Sequence, residues 1–413
     1  MKLNLGIWSF LKGSFIMDKH DIRVPGFLAN GIAVGIKDNG EKDLSLIFSE
    51  VPAKAAAVFT TNRFKAAPVI LDMERIKSQL AQVIIANSGN ANASTGRDGY
   101  ADSVAMSKAI AEGLKIREDL ILVASTGIIG ENLPVKKIVR GVAELIEGLS
   151  VNGIPSAEEG IMTTDKFPKI EYRKCYIGEK EITICGIAKG AGMIEPHMAT
   201  MLSFILTDAD IDQGCLDKVF KQSIDRSFNA ITVDGCMSTN DTAIMLANGI
   251  AGNRTIAGPS KGLTNFRNVL FDVTTGLAKS IVRDGEGATK LIKIVIEEAR
   301  SLADAKKVAY GIANSSLVKT AFFGADPNWG RIVAAIGSTG ILVPTDSVEL
   351  HFDGVPLFRH GKGIKSGEKE LSKIMEQDNI QMSVKLGMGR KSFRLYTSDL
   401  SYDYIKINAH YHT

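Results

Sequence analysis

A threonine near the middle of this chain has neighbours that could make it a nucleophile. Thr200 lies in AKGAGMIEPHMATMLSFILTDA (188–209), between Ala199 and the apolar run Met201–Leu206. If the Ala199–Thr200 bond opens, the new N-terminal residue carries a hydroxyl and an α-amine able to take its proton. That pairing is one of the few ways an alcohol becomes a competent nucleophile at neutral pH. Ala199, Gly190 and Gly192 supply the small residues that a strained, closely approached backbone needs. His197, three residues before the threonine, has the chemistry of an acid or base. Composition by itself allows a plainer reading, because a threonine before an apolar segment is commonly a strand residue or a helix cap.

Strand-like and helix-like segments alternate on both sides of this run. Gly31–Ile36 and Asp43–Ser49 flank Asp38-Asn39-Gly40, a pattern that predicts a hairpin with positive φ in its turn. Gln82–Ala86 predicts a short strand running into the Asn/Gly-rich loop 87–99, and Tyr100–Leu114 has helical spacing. Leu120–Ala124 predicts a strand that leads to Ser125-Thr126-Gly127. Pro134 opens a helix with apolar Ile138, Val142, Leu145 and Leu149 on one face. Beyond Thr200 the pattern predicts helices over Ile211–Phe228, Phe266–Val282, Lys306–Lys319 and Asn328–Ile336. Thr242–Ala247, Lys290–Ile296 and the alternating Ile405–Asn408 predict strands. No repeat or Pro-rich linker separates two autonomous halves. Composition supports α/β or α+β and goes no further.

At 413 residues the chain could hold two or three domains, or one large α/β unit. A hydrophobic content of 45% is enough for a sizeable core, and a net charge of +3 is too slight to suggest nucleic acid or an anionic membrane. Cys175, Cys185, Cys215 and Cys236 have no metal-site or CxxC spacing, which predicts buried reduced thiols in a cytoplasmic protein. The His410-x-His412 pair in the tail predicts a solvated strand end rather than a metal site. Neither a metal nor a resident cofactor is expected. No stretch approaches the roughly 18 apolar residues of a membrane span. Lys12 interrupts the apolar N-terminal segment and no cleavage site follows it, which argues against a signal peptide. Met17 is an alternative start, and residues 1–24 are expected to form an extension or arm.

A set of strings in fixed order carries a resemblance to a known family. They are KDLSLIF (42–48), VFTTNRFKAAPV (58–69), NSGNANASTG (87–96), ASTGIIG (124–130) and IMTTDKFPK (161–169). After the threonine come SFNAITVDGCMSTND (227–241), VRDGEGATK (282–290), GADPNWGRI (324–332) and DLSYDYIKINAHYHT (399–413). From about Pro25 to Thr413 the chain resembles the ornithine acetyltransferases (glutamate N-acetyltransferases) of arginine biosynthesis. The resemblance implies a layered α/β (α+β) sandwich of β-sheets flanked by helices, similar to N-terminal-nucleophile hydrolases. It also implies self-cleavage at Ala199–Thr200 into an alpha chain, 25–199, and a beta chain, 200–413, that stay in one structural unit.

In that family the freed threonine carries an acetyl group from N2-acetylornithine to glutamate. Thr126 and Gly127 match the oxyanion-hole pair, and a hydroxyl with an unencumbered backbone N–H is chemically apt for that work. Lys189 matches a substrate-binding lysine for the α-carboxylate, and Glu286 an acid for the ornithine amino group. Thr163, Asn408 and Thr413 match further polar contacts, with Thr200 itself touching substrate. His197 stands where many members carry Asn, and Cys236-Met237 where Asp-Thr is commoner. The resemblance implies a heterotetramer of two cleaved protomers in the cytoplasm. Acetyl-CoA as a second acetyl donor stays open. An amidase or aminopeptidase on the same scaffold, with water as acceptor, is the alternative in catalysis. A binding protein on an inactive version of the fold is the alternative outside it.

Overall fold

The computed structural model describes residues 22–195, 201–365 and 367–410, so His197, Ala199, Thr200, His412 and Thr413 lie outside the described residues. The first part of the chain forms β1 (Phe27–Ile32), β2 (Leu44–Phe59), α1 (Ala67–Arg75), β3 (Leu80–Asn90) and α2 (Gly96–Leu114). It continues as β4 (Ile121–Ile128), α3 (Val135–Glu147), α4 (Ile154–Glu159), β5 (Lys169–Ile177) and β6 (Lys180–Lys189). The second part opens with β7 (Leu202–Thr207), α5 (Gln213–Arg226), β8 (Ile231–Thr232), β9 (Thr242–Ala247) and α6 (Lys261–Arg283). Then follow β10 (Leu291–Ala299), α7 (Leu302–Ala313), α8 (Ser316–Phe323), α9 (Trp329–Ser338), β11 (Glu349–Phe352) and β12 (Val355–Arg359). The described chain closes with β13 (Lys362–Gly363), α10 (Glu368–Met375), β14 (Asn379–Lys385), β15 (Lys391–Ser398) and α11 (Tyr402–His410).

Two mixed sheets result, as the layered α/β reading expects. One runs β4-β3-β2-β9-β7-β6-β5 with β1 also on β2; the other runs β13-β12-β11-β14-β10-β15-β8. The first mixes both parts of the chain. Alternation along its strands gives it two buried faces. Ile244 and Leu246 of β9 share a core with Ile154 and Ala157 of α4, whereas Ala243 and Met245 face α5 and α6. Val273 and Leu277 of α6 pack in the same core as Ile184 of the first sheet and Tyr396 of the second, so α6 lies between the sheets. Each such side chain, fully buried, contributes roughly 1.5–3 kcal/mol. Ile22 and Val24, expected to lie in an extension, are buried and belong to the core beside α4.

β6 and β7 are antiparallel neighbours, with Lys189 opposite Leu202. Residues 190–201 therefore connect two strands that are already hydrogen-bonded to each other. β7 in turn pairs in parallel with β9, and β9 with β2.

Several expectations need correction. The hairpin around Asp38-Asn39-Gly40 is present, with β1 antiparallel to β2 and Gly40 at φ +75°, but its loop is longer, because β1 ends at Ile32 and the Asp43 carboxylate accepts from the amides of Val34, Ile36 and Lys37 at 2.7, 2.5 and 3.1 Å. One helix over Lys306–Lys319 is two. Asn314 ends α7, and the Ser315 hydroxyl caps α8 by accepting from Val318 N. The tail is helix rather than strand, so His410 ends a helix: Ser401 Oγ accepts from Asp403 N at its start, and none of its residues is buried. A two-residue period over four residues is too short to decide between the two. Only Cys185 of the four free thiols is buried, and Cys236 is exposed.

One ionic cluster ties the loop after α4, the start of β5 and the end of α6 together. Lys169 Nζ lies 2.6 Å from Asp165 Oδ1 and 2.5 Å from Asp284 Oδ2, with all three side chains buried. Burial works against the Lys169 ammonium, but Asp165 and Asp284 outweigh it and hold its pKa above the ordinary value. Lys169→Met removes the cation that the two buried carboxylates share, leaving Asp284 unpaired, and is expected to lower the unfolding free energy by about 3–5 kcal/mol. Urea unfolding checks this, and a loss below about 1 kcal/mol would contradict it.

Candidate active site

The site begins where β3 and β4 lose regular pairing. Their parallel register slips at Gly89 and Asn90, opposite Thr126 and Gly127. The Asn- and Ser-rich sequence there supplies side chains that replace the lost backbone partners. Ser125 Oγ donates to Asn87 Oδ1 at 2.7 Å, and Asn87 Nδ2 donates to Asn90 O at 2.9 Å. From the other part of the chain, Asn240 Nδ2 donates to both Ala91 O and Ser125 O, at 2.6 and 2.8 Å. Gly127 has φ +134°, and a Cβ there would stand 2.3 Å from the Gly89 carbonyl carbon. Only glycine fits this approach.

Lys189 ends β6 and reaches Thr126, its Nζ donating to Oγ1 at 3.2 Å. It is almost fully buried, and burial lowers its pKa against the opposing pull of Asp165. Asp165 organises the surrounding backbone. Its Oδ1 accepts from Gly190 N at 2.7 Å and its Oδ2 from Thr163 N at 2.9 Å. Burial would raise the Asp165 pKa, but Lys189 and Lys169 hold the carboxyl well below the usual range.

Glu286 follows α6 and is pinned by its own amide, which donates to Ala191 O at 3.0 Å. Its Oε2 accepts from Asn408 Nδ2 of α11 at 2.8 Å. A Cβ on Gly192 would lie 2.5 Å from this carboxylate, so the loop after β6 passes Glu286 without a side chain. The same loop then bends at Met193, φ +59°, where Asp234 accepts from Met193 N and Ile194 N at 2.6 and 2.9 Å. At the start of the second part, Met201 N–H donates to Asp241 Oδ1 at 3.0 Å.

Thr126, Gly127, Thr163, Lys189, Glu286 and Asn408 all line one cleft, with about 590 Å³ of empty space partly open to solvent. Thr164, Ser238 and Asn240 add polar walls, and Ala91, Ile129 and Met193 apolar ones. One buried cation and one carboxylate in a small cleft suit a zwitterionic molecule of amino-acid size. The Lys189 ammonium engages Thr126 Oγ1 as acceptor, leaving that hydroxyl's proton to donate into the cleft. Among the described residues no group of three His, Cys, Asp or Glu side chains is arranged to hold a metal ion. Sequence reasoning missed Asp165, Asp234, Asn240 and Asp241. Their only signal was acidic or amide character inside the strings already noted.

Comparison with known proteins then places the chain. The model of the ArgJ family matches residues 28–413. The arginine biosynthesis bifunctional protein ArgJ of Geobacter sulfurreducens is 49% identical over 394 residues, 95% of this chain and 100% of that one. The protein of the same name from Listeria monocytogenes is 44% identical over 389 residues, 94% of this chain and 97% of that one. A crystal structure of arginine biosynthesis bifunctional protein ArgJ from Bacillus halodurans is 40% identical with a TM-score of 0.50. It matches 51% of this chain and 100% of its own. With a match across nearly the whole chain, and relatives of full length on both sides, this chain belongs to the ArgJ family.

Proposed function

We propose that this chain is a glutamate N-acetyltransferase that moves an acetyl group from N2-acetylornithine to glutamate. The observation that carries the reading is the cleft itself. It brings Lys189, Glu286 and the Thr126–Gly127 pair together beside the connection 190–201 that contains Thr200. Lys189 is suited to the substrate α-carboxylate and Glu286, with Asn408, to the amino group of the ornithine side chain. Thr163 is a further polar contact, and Thr413 another from the tail.

The chemistry follows from these placements. Thr200 Oγ attacks the acetyl carbonyl while its proton passes to the freed α-amine. The carbonyl oxygen becomes anionic and takes hydrogen bonds from the Thr126 hydroxyl and the Gly127 N–H. The amide C–N bond breaks as the leaving nitrogen takes the proton, and ornithine departs. The glutamate amine then attacks the acetyl-threonine ester, giving N-acetylglutamate and restoring the hydroxyl.

The nucleophile is made by the chain's own cut. Thr200 Oγ attacks the Ala199 carbonyl, and the resulting ester is hydrolysed to give pieces 1–199 and 200–413. The Bacillus halodurans crystal chain supports this, since its whole length corresponds to about half of this one. Pairing of β6 with β7 across the cut would hold the pieces together. Two cleaved copies forming a heterotetramer in the cytoplasm complete the reading. The relatives' shared name calls them bifunctional, and acetyl-CoA as a second acetyl donor would give this chain a second activity.

Denatured protein is expected to give two masses, 1–199 and 200–413, that travel as one particle under native conditions. Thr200→Ala is expected to leave one full-length chain without transferase activity. A second piece starting at any other residue would remove Thr200 from its role. Incubation with N2-acetylornithine alone is expected to add one acetyl group to the 200–413 piece, with ping-pong kinetics. Ternary-complex kinetics with no acetylated piece would exclude it, and hydrolysis without transfer to glutamate would favour an amidase. Glu286→Gln is expected to cleave normally but to raise the KM for acetylornithine on the order of 10- to 100-fold, the worth of one charged hydrogen bond. An unchanged KM would take Glu286 out of substrate binding.

A further inference from the structure

Asp241 holds a carboxyl group that the fold leaves half used. It stands immediately before β9, fully buried, with Oδ1 accepting from Met201 N at 3.0 Å. Its other oxygen, Oδ2, is buried and has no hydrogen bond among the described residues. The nearby Thr60 hydroxyl donates instead to Ser238 O at 2.8 Å. A buried carboxyl oxygen without a partner is costly, and natural folds keep few of them. Its position gives a reason for keeping this one. Only the Cα and carbonyl carbon of residue 200 separate Met201 N, which Asp241 grips, from the nitrogen that cleavage before Thr200 would free.

We propose that Asp241 is the positioning residue of that new base, Oδ2 accepting an N–H from the Thr200 α-amine and turning its lone pair towards the hydroxyl. The inference rests on Thr200 being the nucleophile. Asp241 takes no proton in the cycle: the proton passes from Thr200 Oγ to the α-amine and on to the departing ornithine nitrogen. Its role is that of the third group in a nucleophile–base–orienter arrangement. Among the described residues Lys189 is the cation that acts on this carboxyl, and burial raises its pKa well above the ordinary value. Cutting the chain creates an ammonium only three covalent bonds from the Met201 N that Asp241 holds, and an opposite charge at close range favours the ionised carboxylate. The chain thus makes its own counter-ion at the moment it makes its base.

The test compares Asp241→Asn and Asp241→Glu with the wild type by denatured mass, kcat, KM and the pH profile of kcat/KM. The amide of Asp241→Asn keeps an oxygen for Met201 N but has no charge to orient and hold the amine. It is expected to cleave, to lose at least 10-fold in kcat with little change in KM, and to shift the acid limb to lower pH. The sign follows because a neighbouring carboxylate raises the amine pKa, and its removal lowers it. Lys189, the charged group acting on Asp241, is unchanged in both variants. Asp241→Glu keeps a carboxylate and is expected to keep the wild-type acid limb even if kcat falls. An unmoved acid limb and kcat in Asp241→Asn would overturn the proposal. So would an Asp241→Glu profile displaced like that of the amide, or an Asp241→Asn chain that stays whole, since the role begins only after cleavage. Failure of the nucleophile reading itself would look different: the wild type would then neither cleave nor transfer acetyl.

Discussion

Asp165 is a buried carboxylate between two buried lysines, and the cleft is assembled around it. Lys169 neutralises it from the start of β5, and Lys189 from the end of β6. Its two oxygens also fix the amides of Thr163 and Gly190, which set two walls of the cleft. A dry interior would normally expel an ammonium such as that of Lys189, or strip its proton. The carboxylate opposes that loss for Lys189, whose Nζ is aimed at Thr126. Lys169 shares its charge with Asp284, two residues before Glu286, so one ionic cluster sets the heights of both the positive and the negative end of the site.

Local pattern was enough for many elements. Thr242–Ala247 is β9 residue for residue, because a short apolar run between turn-forming residues has few alternatives. Ile138, Val142 and Leu145 are buried on one face of α3, as their spacing predicts. The second sheet was hardly legible beyond β10. β11, β12 and β13 are four, five and two residues long, too short for alternation to stand out. The tail misled for a related reason, since Ile405 and Ile407 alternate with polar residues while lying on an exposed helix.

The meeting of residues as distant as Thr126 and Asn408 is invisible to spacing and periodicity. It became legible only through the order of strings shared with a family. Residues that act by pairing with other parts of the chain lay inside those strings with nothing to mark their roles. Asp165 and Lys169 sit four apart like an ordinary solvated charge pair, and nothing local marks them as buried. Asn240 bridges Ala91 and Ser125, more than a hundred residues away, and a sequence window cannot see such a bridge.

The mixing of strands in the first sheet fixes an order of events. β7 and β9 occupy its middle, between β2 and β6. Each has neighbours contributed by the other side of residues 190–201. While the peptide is continuous, that connection acts as a tether, and the strands find one another as parts of one molecule at high effective concentration. Severed beforehand, each piece would expose unpaired strand edges and have to find its complement by diffusion, in competition with aggregation. A cut placed here would therefore be useful only as the last step of folding. Chemistry that waited for a completed site to form would act as a timing device built into the chain.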